Sequence, residues 1–204
     1  DARAWQRVES APTDEAMMRL TGLLQHAERP FVILGGSGWN ETSVADFQRF
    51  AETQHVPVGC AFRFQDLFDN AHPNYAGDVG IGINPALAAR IKSADLVLAI
   101  GPRLGEMTTS GYSVIEAPVP KQKLVHMHTG PEELGRVYQA DLPINAGMPE
   151  FAAALRALPA VKGAWDDWAK DLRGDYVAWL KPGTMPGAVD LGVVIETLRQ
   201  RVPA

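Results

Sequence analysis

Residues 31–38 read Phe31-Val32-Ile33-Leu34-Gly35-Gly36-Ser37-Gly38, four apolar residues followed by a turn that is rich in glycine. An apolar run without polar alternation predicts a strand that is covered on both faces, as strands of parallel sheets are. The chain then continues into an amphipathic helix, for which Asn40 or Thr42 is the expected N-cap. This segment therefore predicts one strand-turn-helix unit of an α/β fold.

The same alternation of apolar strand and amphipathic helix recurs along the chain. Apolar residues at helical spacing predict helices at 14–28, 85–91 and 151–158. Four further strands are predicted at 56–61, 95–101, 124–128 and 142–144, whereas residues 62–84 are predicted to be a long loop. Strands that alternate with helices imply right-handed βαβ units. The predicted fold class is therefore α/β: a Rossmann-like, doubly wound parallel sheet of about six strands with helices on both faces, plus a C-terminal helical extension.

The division into domains follows from a change of character after Pro159. Residues 14–159 are predicted to form the Rossmann-like central domain, and residues 1–13 an N-terminal linker. Beyond it, Trp165, Trp168 and Trp179 form a helical stripe that is expected to pack between domains. Two helices joined by a segment rich in proline and glycine cannot build a second core. We therefore expect residues 160–204 to be interdomain linker helices that lead to a cofactor-binding domain absent from this chain.

The composition limits the classes of function. The 204 residues are 46% hydrophobic and 21% charged, and 19 Lys and Arg against 24 Asp and Glu leave a net charge of −5. Without a basic surplus, nucleic acid is not an expected partner, and no apolar run approaches the ~20 residues that span a bilayer. A single cysteine, Cys60, excludes a disulfide framework and a multi-cysteine zinc site. We expect a cytoplasmic piece of a longer protein, with neither nucleic acid nor membrane as a partner.

Two turns that contain glycine are the candidate binding sites. Gly35, Gly36 and Gly38 follow the first strand, where the backbone of an α/β fold approaches a pyrophosphate at a helix N-terminus. The dinucleotide fingerprint requires glycine or alanine at the position that Glu41 occupies here. Arg103 follows the strand at 95–101, where its guanidinium can pair with a phosphate. The alternatives are a glycine turn required only for packing, and an arginine that pairs with a carboxylate at a domain interface or lies on the surface.

Other reactive residue types have simpler explanations. His126 and His128 point to one face of a strand, but a metal site needs a third ligand, so packing or hydrogen-bonded histidines are predicted. Cys60 is predicted to be a small buried residue of a strand. Ser37 lies between strand and helix, as a hydrolase nucleophile does, but the G-x-S-x-G pattern lacks its final glycine. The sequence therefore predicts no catalytic residue and no metal ligand in this chain.

Six segments, in this order, resemble the central domain of thiamine-diphosphate-dependent enzymes of the acetolactate synthase and 2-oxo acid decarboxylase group. They are 29–36, 72–77, 93–104, 124–126, 133–136 and 141–144. The resemblance implies a parent enzyme of three related α/β domains that decarboxylates or ligates 2-oxo acids with a carbanion-stabilising cofactor. It also implies a homo-oligomer, in which the remaining domains of the parent are the partners of this one.

The resemblance also implies where cofactors are bound. Thiamine diphosphate and Mg²⁺ are held by the first and third domains, through a glutamate and a G-D-G…N motif. The matches in this chain, Gly77-Asp78-Val79 and Gly174-Asp175-Tyr176, lack the second glycine, so the chain is expected to bind no thiamine diphosphate and to be inactive alone. The central domain of some relatives binds FAD or ADP, at positions that correspond to Gly35, Gly36, Gly38 and Arg103. Two aspartates of those relatives are absent here, at His128 and Gly130.

Three functions stay open from the sequence. The first is a non-catalytic structural domain of a thiamine-diphosphate-dependent enzyme. The second is a stand-alone module that binds FAD, ADP or NAD at the glycine turn. The third is a regulatory site for a small effector, for which no residue of the sequence is singled out.

Overall fold

The computed structural model describes residues 3–4, 9–161, 163, 165–183 and 185–202 of the chain. Six strands form one parallel sheet: β1 Pro30–Leu34, β2 Val58–Ala61, β3 Tyr75–Val79, β4 Leu96–Ile100, β5 Lys123–His128 and β6 Leu142–Asn145. Their order across the sheet is β3-β2-β1-β4-β5-β6. The predicted fold class, a doubly wound parallel sheet of about six strands, is confirmed.

Helices cover both faces of this sheet. They are α1 Asp14–His26, α2 Glu41–Gln54, α3 Pro85–Ser93, α4 Met148–Arg156, α5 Asp166–Trp179 and α6 Leu191–Arg201. Because successive strand residues point to opposite faces, β1 gives Val32 and Leu34 to a core shared with α1, α2 and α4, and Phe31 and Ile33 to a core shared with α3. Within the described part of the chain, no helix is both long enough and apolar enough to cross a membrane.

Capping side chains or a proline mark the start of several of these helices, and the N-cap of α2 is one of the two residues predicted for it. Asn40 is the N-cap of α2, and its side chain accepts a hydrogen bond from the backbone N–H of Ser43. Asn84 caps α3, and Pro85 occupies the first helical position, where a missing N–H costs nothing. Thr13 caps α1 in the same way through the N–H of Ala16. These caps place the starts of the helices independently of the rest of the fold.

The centre of the sheet is the pair β1 and β4, from which the chain leaves in opposite directions. Their register runs from Pro30 opposite Leu96 to Leu34 opposite Ile100. The chain passes from β1 to β2 on one side and from β4 to β5 on the other. Doubly wound sheets bind ligands in the crevice at the carboxyl ends of the two strands where this reversal occurs. The fold thus brings the turns after β1 and β4 to one crevice.

One strand lies where the sequence predicted a loop. Tyr75–Val79 forms β3, within the 62–84 segment. Its centre contains Gly77 and Asp78, residue types that are depleted in strands, and Gly77 has a φ of +126°. The register with β2 also shifts between Val58 and Gly59. An irregular edge strand of this kind has no apolar run, so its pairing with β2 determines its structure and the local sequence does not.

The tryptophan stripe packs largely within this domain. Trp165 is fully buried, and its indole N–H donates to the carbonyl oxygen of Gln54 at 2.8 Å. The indole of Trp168 donates to the carbonyl oxygen of Pro30 at 2.9 Å. Trp179, at the end of α5, is 55% exposed. The expectation that the stripe packs between domains is therefore wrong for Trp165 and Trp168, because the indole N–H of each is satisfied by backbone of the central domain.

α5 covers the edge strand β3, whereas α6 extends away from the core. The guanidinium of Arg173 donates to the carbonyl oxygens of Asn70, Ala71 and Tyr75 at 3.0, 3.0 and 3.2 Å. The ring of Tyr176 meets that of Tyr75 edge-on, with centroids 5.0 Å apart. Among its described residues α6 buries none. The boundaries predicted at residues 13 and 159 stay predictions, and residues 1–2, 5–8, 162, 164, 184 and 203–204 of the predicted linkers lie outside the described residues.

Candidate functional site

The turns after β1 and β4 touch each other through their backbones. Gly36 and Gly101 have φ angles of +77° and +87°, which L side chains rarely adopt. A Cβ on Gly36 would lie 2.1 Å from the carbonyl oxygen of Gly101, and a Cβ on Gly101 would lie 2.2 Å from that of Gly35. The contact of one turn with the other therefore requires both glycines, as the packing alternative predicts.

Hydrogen bonds from neighbouring side chains hold the rest of the glycine turn and the start of α2. The indole of Trp39 donates to the carbonyl oxygen of Gly35 at 2.9 Å. At the start of α2, the Ser43 N–H donates to the Asn40 side chain at 2.8 Å, and the Asn40 N–H donates to the Ser43 hydroxyl at 2.9 Å. Glu41 adds a carboxylate to the first turn of the helix. Gly38, with a φ of +98°, lets the chain turn between these groups.

A cleft of about 660 Å³ opens beside these two turns. Its apolar lining comes from Phe62, Phe64, Pro102, Met107 and Tyr112. Its polar lining comes from Ser37, Arg103, Glu106, Thr108, His128 and Thr129. The volume lies within the range of small-molecule sites. Of the predicted site residues, the structure brings Gly36 and Arg103 to the wall of this cleft.

Arg103 pairs with a carboxylate from the segment after β5. Its Nη2 lies 2.9 Å from Oε1 of Glu133, and Nη1 of Arg136 lies 3.0 Å from the same oxygen. Arg103 is 66% exposed, whereas the Glu133 side chain is 12% exposed. Burial alone would raise the pKa of Glu133, but the hydrogen bonds and charges of Arg103 and Arg136 outweigh it and hold that pKa below the usual value. The carboxylate that pairs with Arg103 thus belongs to the same domain, whereas the alternative expected from the sequence was one at a domain interface.

The two histidines of β5 are hydrogen-bonded to backbone. Nε2 of the buried His126 lies 3.1 Å from the carbonyl oxygen of Pro102. Burial lowers the pKa of His126, so the neutral ring donates to that oxygen. Nδ1 of His128 accepts the N–H of Gly130 at 2.9 Å. No group of three metal-ligating side chains occurs among the described residues.

Cys60 is fully buried in β2, as predicted. Burial raises the pKa of its thiol to about 12, with smaller contributions from the charges of Asp78 and Asp66. A thiol with this pKa is protonated at neutral pH, whereas nucleophilic cysteines are thiolates. Cys60 is therefore a packing residue.

The two segments that come nearest to a diphosphate-binding motif do not fit thiamine diphosphate and Mg²⁺. The Asp78 carboxyl contacts the amide of Gln65, and burial raises the pKa of Asp78. Asp175 lies in α5 and accepts a hydrogen bond from Nε of Arg90 at 2.8 Å. Neither aspartate is available to a metal ion, so no chemical step of that cofactor is assigned to these residues.

Fold and site together define a Rossmann-like domain of the doubly wound class, with a cleft at the carboxyl ends of its central strands. Residues 17–155 match the family described as "Thiamine pyrophosphate enzyme, central domain". This match covers more than half of the chain and the whole of the described sheet from β1 to β6. The chain belongs to this family.

Similar proteins include enzymes with two different activities. The chain is 24% identical over 205 residues to an acetolactate synthase large subunit of Corynebacterium glutamicum, covering 96% of this chain and 32% of that protein. It is 30% identical over 202 residues to a sulfoacetaldehyde acetyltransferase of Roseovarius nubinhibens, covering 83% of this chain and 33% of that protein. A probable acetolactate synthase large subunit of Methanocaldococcus jannaschii is 29% identical over 140 residues, 67% of this chain and 23% of that protein. The chain thus spans a third or less of the length of these relatives.

Sequence reasoning missed most of the cleft. Met107, Thr108 and Tyr112 come from the irregular segment between β4 and β5, and Glu133 comes from the turn after β5. The segment between β4 and β5 contains consecutive positive φ angles at Ser110, Gly111 and Tyr112, of 50°, 66° and 62°. Such angles are uncommon for residues other than glycine, and they cannot be read from these residue types. The dipeptide Ser110-Gly111 is the one local sign of a turn.

Proposed function

We propose that this chain is the non-catalytic central domain of a larger enzyme that uses thiamine diphosphate and Mg²⁺ to decarboxylate a 2-oxo acid and to transfer or ligate the product. In this proposal both cofactors bind to other domains of the parent, and thiamine diphosphate supplies the stabilised carbanion. The observation that carries the proposal is the family match over residues 17–155, which contains the whole described sheet. The printed names of two relatives, acetolactate synthase and sulfoacetaldehyde acetyltransferase, give a synthase and an acetyl-group transfer, and the proposal includes both the ligation and the transfer of a product.

The role proposed for the chain's own residues is structural. The Gly36–Gly101 contact and the His126–Pro102 hydrogen bond fix the crevice between β1 and β4. α5 is held to the sheet through Trp165, Trp168 and Arg173, and it orients the segment that leads into α6. In the parent, residues 1–13 and 160–204 are proposed to connect this domain to its neighbours. The parent is proposed to be a cytoplasmic homo-oligomer with transferase or lyase activity.

The test compares this chain with the natural full-length protein that contains it. Each is titrated with thiamine diphosphate in the presence of Mg²⁺ by calorimetry, and release of CO₂ is measured with a panel of 2-oxo acids that includes pyruvate. We expect cofactor binding and turnover from the full-length protein and neither from the 204-residue chain. Binding of thiamine diphosphate by the chain alone, or a full-length protein that does not bind it, would contradict the proposal.

The second candidate function is binding of a small molecule in the cleft. The favouring observation is the position of the cleft at the carboxyl ends of β1 and β4, beside Gly36 and Arg103. The sequence-based prediction for this place is a nucleotide, FAD, ADP or NAD, held by Gly35, Gly36, Gly38 and Arg103. Titration of the chain with these three nucleotides, followed by thermal unfolding, tests that prediction.

A further inference from the structure

The side chains that line the cleft beside the turns after β1 and β4 suit an aromatic ring better than a diphosphate. We propose that the cleft binds a planar aromatic molecule that carries no diphosphate group. This inference concerns residues of this chain alone and does not rest on the role proposed for the parent enzyme. It differs from the nucleotide prediction in the group that the cleft recognises.

Two features of the glycine turn oppose the binding of a diphosphate. In a dinucleotide fold, the glycines after the first strand let the phosphates approach the N-terminus of the next helix. Here the side of Gly36 on which a Cβ would stand is filled by the carbonyl oxygen of Gly101. The N–H of Ser43 is bonded to Asn40, and Glu41 adds a negative charge to the same helix turn. A diphosphate at this turn would meet a capped helix and a carboxylate.

The cations near the cleft already have partners. Arg103 and Arg136 share the carboxylate of Glu133, at 2.9 and 3.0 Å. The guanidinium of Arg63 lies over the ring of Phe62, 5.2 Å from its centroid. Glu106 lines the cleft as well, so that two carboxylates, Glu106 and Glu133, lie beside these arginines. A ligand with two or three negative charges would therefore compete with Glu133 for Arg103 and meet the charge of Glu106.

The remaining lining suits an aromatic ring. Phe62, Phe64 and Tyr112 supply aromatic surface, and Met107 supplies a flexible thioether that packs well against rings. The hydroxyls of Ser37 and Thr108 lie in the same lining and can donate to or accept from ring heteroatoms. Apolar walls with a few polar groups, in a volume of about 660 Å³, are typical of sites that take small aromatic molecules.

The experiment uses two matched pairs of probes, adenosine with ADP and riboflavin with FAD. Each pair shares one ring system and differs in the phosphate-containing part. Dissociation constants for the 204-residue chain are measured by calorimetry, and for the flavins also by fluorescence. We expect at least one unphosphorylated probe to bind about tenfold more tightly than its diphosphate counterpart. The inference would be overturned if neither unphosphorylated probe bound more tightly than its diphosphate counterpart, or if none of the four bound.

Two variants connect the preference to the named residues. Glu133→Gln frees Arg103, so we expect the affinity for ADP to rise at least about threefold while that for adenosine stays unchanged. Glu132→Gln, at an exposed neighbouring position, is the matched control and should change neither. An unchanged ratio of the two affinities in Glu133→Gln would contradict the assignment of Arg103 as a neutralised cation.

Met107→Ala removes apolar surface that faces the ring. It should weaken both members of a pair by the same factor, about three- to tenfold, because the ring is common to both. Met18→Ala is the control, since Met18 is 67% exposed on α1 and lies outside the cleft lining. A Met107 variant that binds all four probes like the unaltered chain would show that the ring does not occupy this cleft.

Discussion

Nη2 of Arg103 lies 2.9 Å from Oε1 of Glu133, and this pair joins the turn after β4 to the turn after β5. The same carboxylate also accepts Nη1 of Arg136 at 3.0 Å. One largely buried carboxylate thus holds two exposed arginines, and a residue that the sequence offers as a phosphate ligand is engaged within the domain. An anion that binds at Arg103 would share the guanidinium with this intramolecular carboxylate.

The stability of the Glu133 cluster should depend on pH. The folded-state pKa of Glu133 lies below its ordinary value of 4.5, so the carboxylate stabilises the fold above that pH and its contribution is lost as the pH falls through the lower folded-state pKa. In urea unfolding between pH 7 and pH 3, the unaltered chain should therefore exceed Glu133→Gln in stability near neutrality, with the difference shrinking below about pH 4.5. Glu132→Gln serves as control. A constant difference across the whole range would contradict the role of the ion pair.

The Gly36–Gly101 contact predicts a large penalty for a single methyl group. Gly36→Ala places a Cβ 2.1 Å from a backbone oxygen and forces a φ of +77° on alanine. We expect the free energy of unfolding to fall by at least about 3 kcal/mol, measured by urea denaturation. At Gly105, in the same cleft wall, a Cβ meets no described atom within 4 Å, so Gly105→Ala should change stability by less than about 1 kcal/mol. Similar losses from the two substitutions would refute the backbone contact.

The attachment of α5 can be measured with two substitutions in the same helix. Leu172 is fully buried against the sheet, and Leu172→Ala should cost about 2–5 kcal/mol of unfolding free energy. Val177 is 45% exposed, and Val177→Ala should cost less than about 1 kcal/mol. If Leu172→Ala were as mild as Val177→Ala, α5 would not be packed on the domain in solution.

The thiol of Cys60 should report global unfolding. Its pKa of about 12 and its burial leave almost no accessible thiolate at pH 8. Labelling with a thiol-reactive disulfide reagent should therefore be at least about a hundredfold slower in the native chain than in 8 M urea. Because the chain has a single cysteine, the signal belongs to this residue alone. Labelling at comparable rates in both conditions would contradict a packed β2.

Apolar runs predict the central strands because buried parallel strands need such runs. The predicted run 31–34 contains β1 apart from Pro30, and the predicted run 95–101 contains the whole of β4. Both strands are covered on two faces. The edge strand β3 has the opposite character, since Gly77 and Asp78 interrupt it and α5 covers it from far along the chain. Its structure depends on tertiary partners that local patterning does not contain.

The site likewise has residues that local sequence predicts and residues that it does not. The glycines after β1 could be identified from the sequence, but the sequence leaves open whether they admit a ligand or a second backbone. The carbonyl oxygen of Gly101 decides this, and it belongs to a turn 65 residues further along the chain. The partner of Arg103 could not be predicted from local sequence either, because the pairing of β4 with β5 is what brings Glu133 close to it. Contacts between separate βα turns depend on how the sheet is wound, which no local motif encodes.

The cover that α5 gives to β3 has a practical consequence for shortening this protein. A polypeptide ending at Pro159 would lose the Arg173 bonds to Asn70, Ala71 and Tyr75 and the ring contact of Tyr176. The edge strand β3 would then expose unpaired backbone N–H and C=O groups, which favour strand exchange and self-association. The smallest fragment that folds without self-association should therefore extend through Trp179, twenty residues past Pro159, where the chain's composition changes.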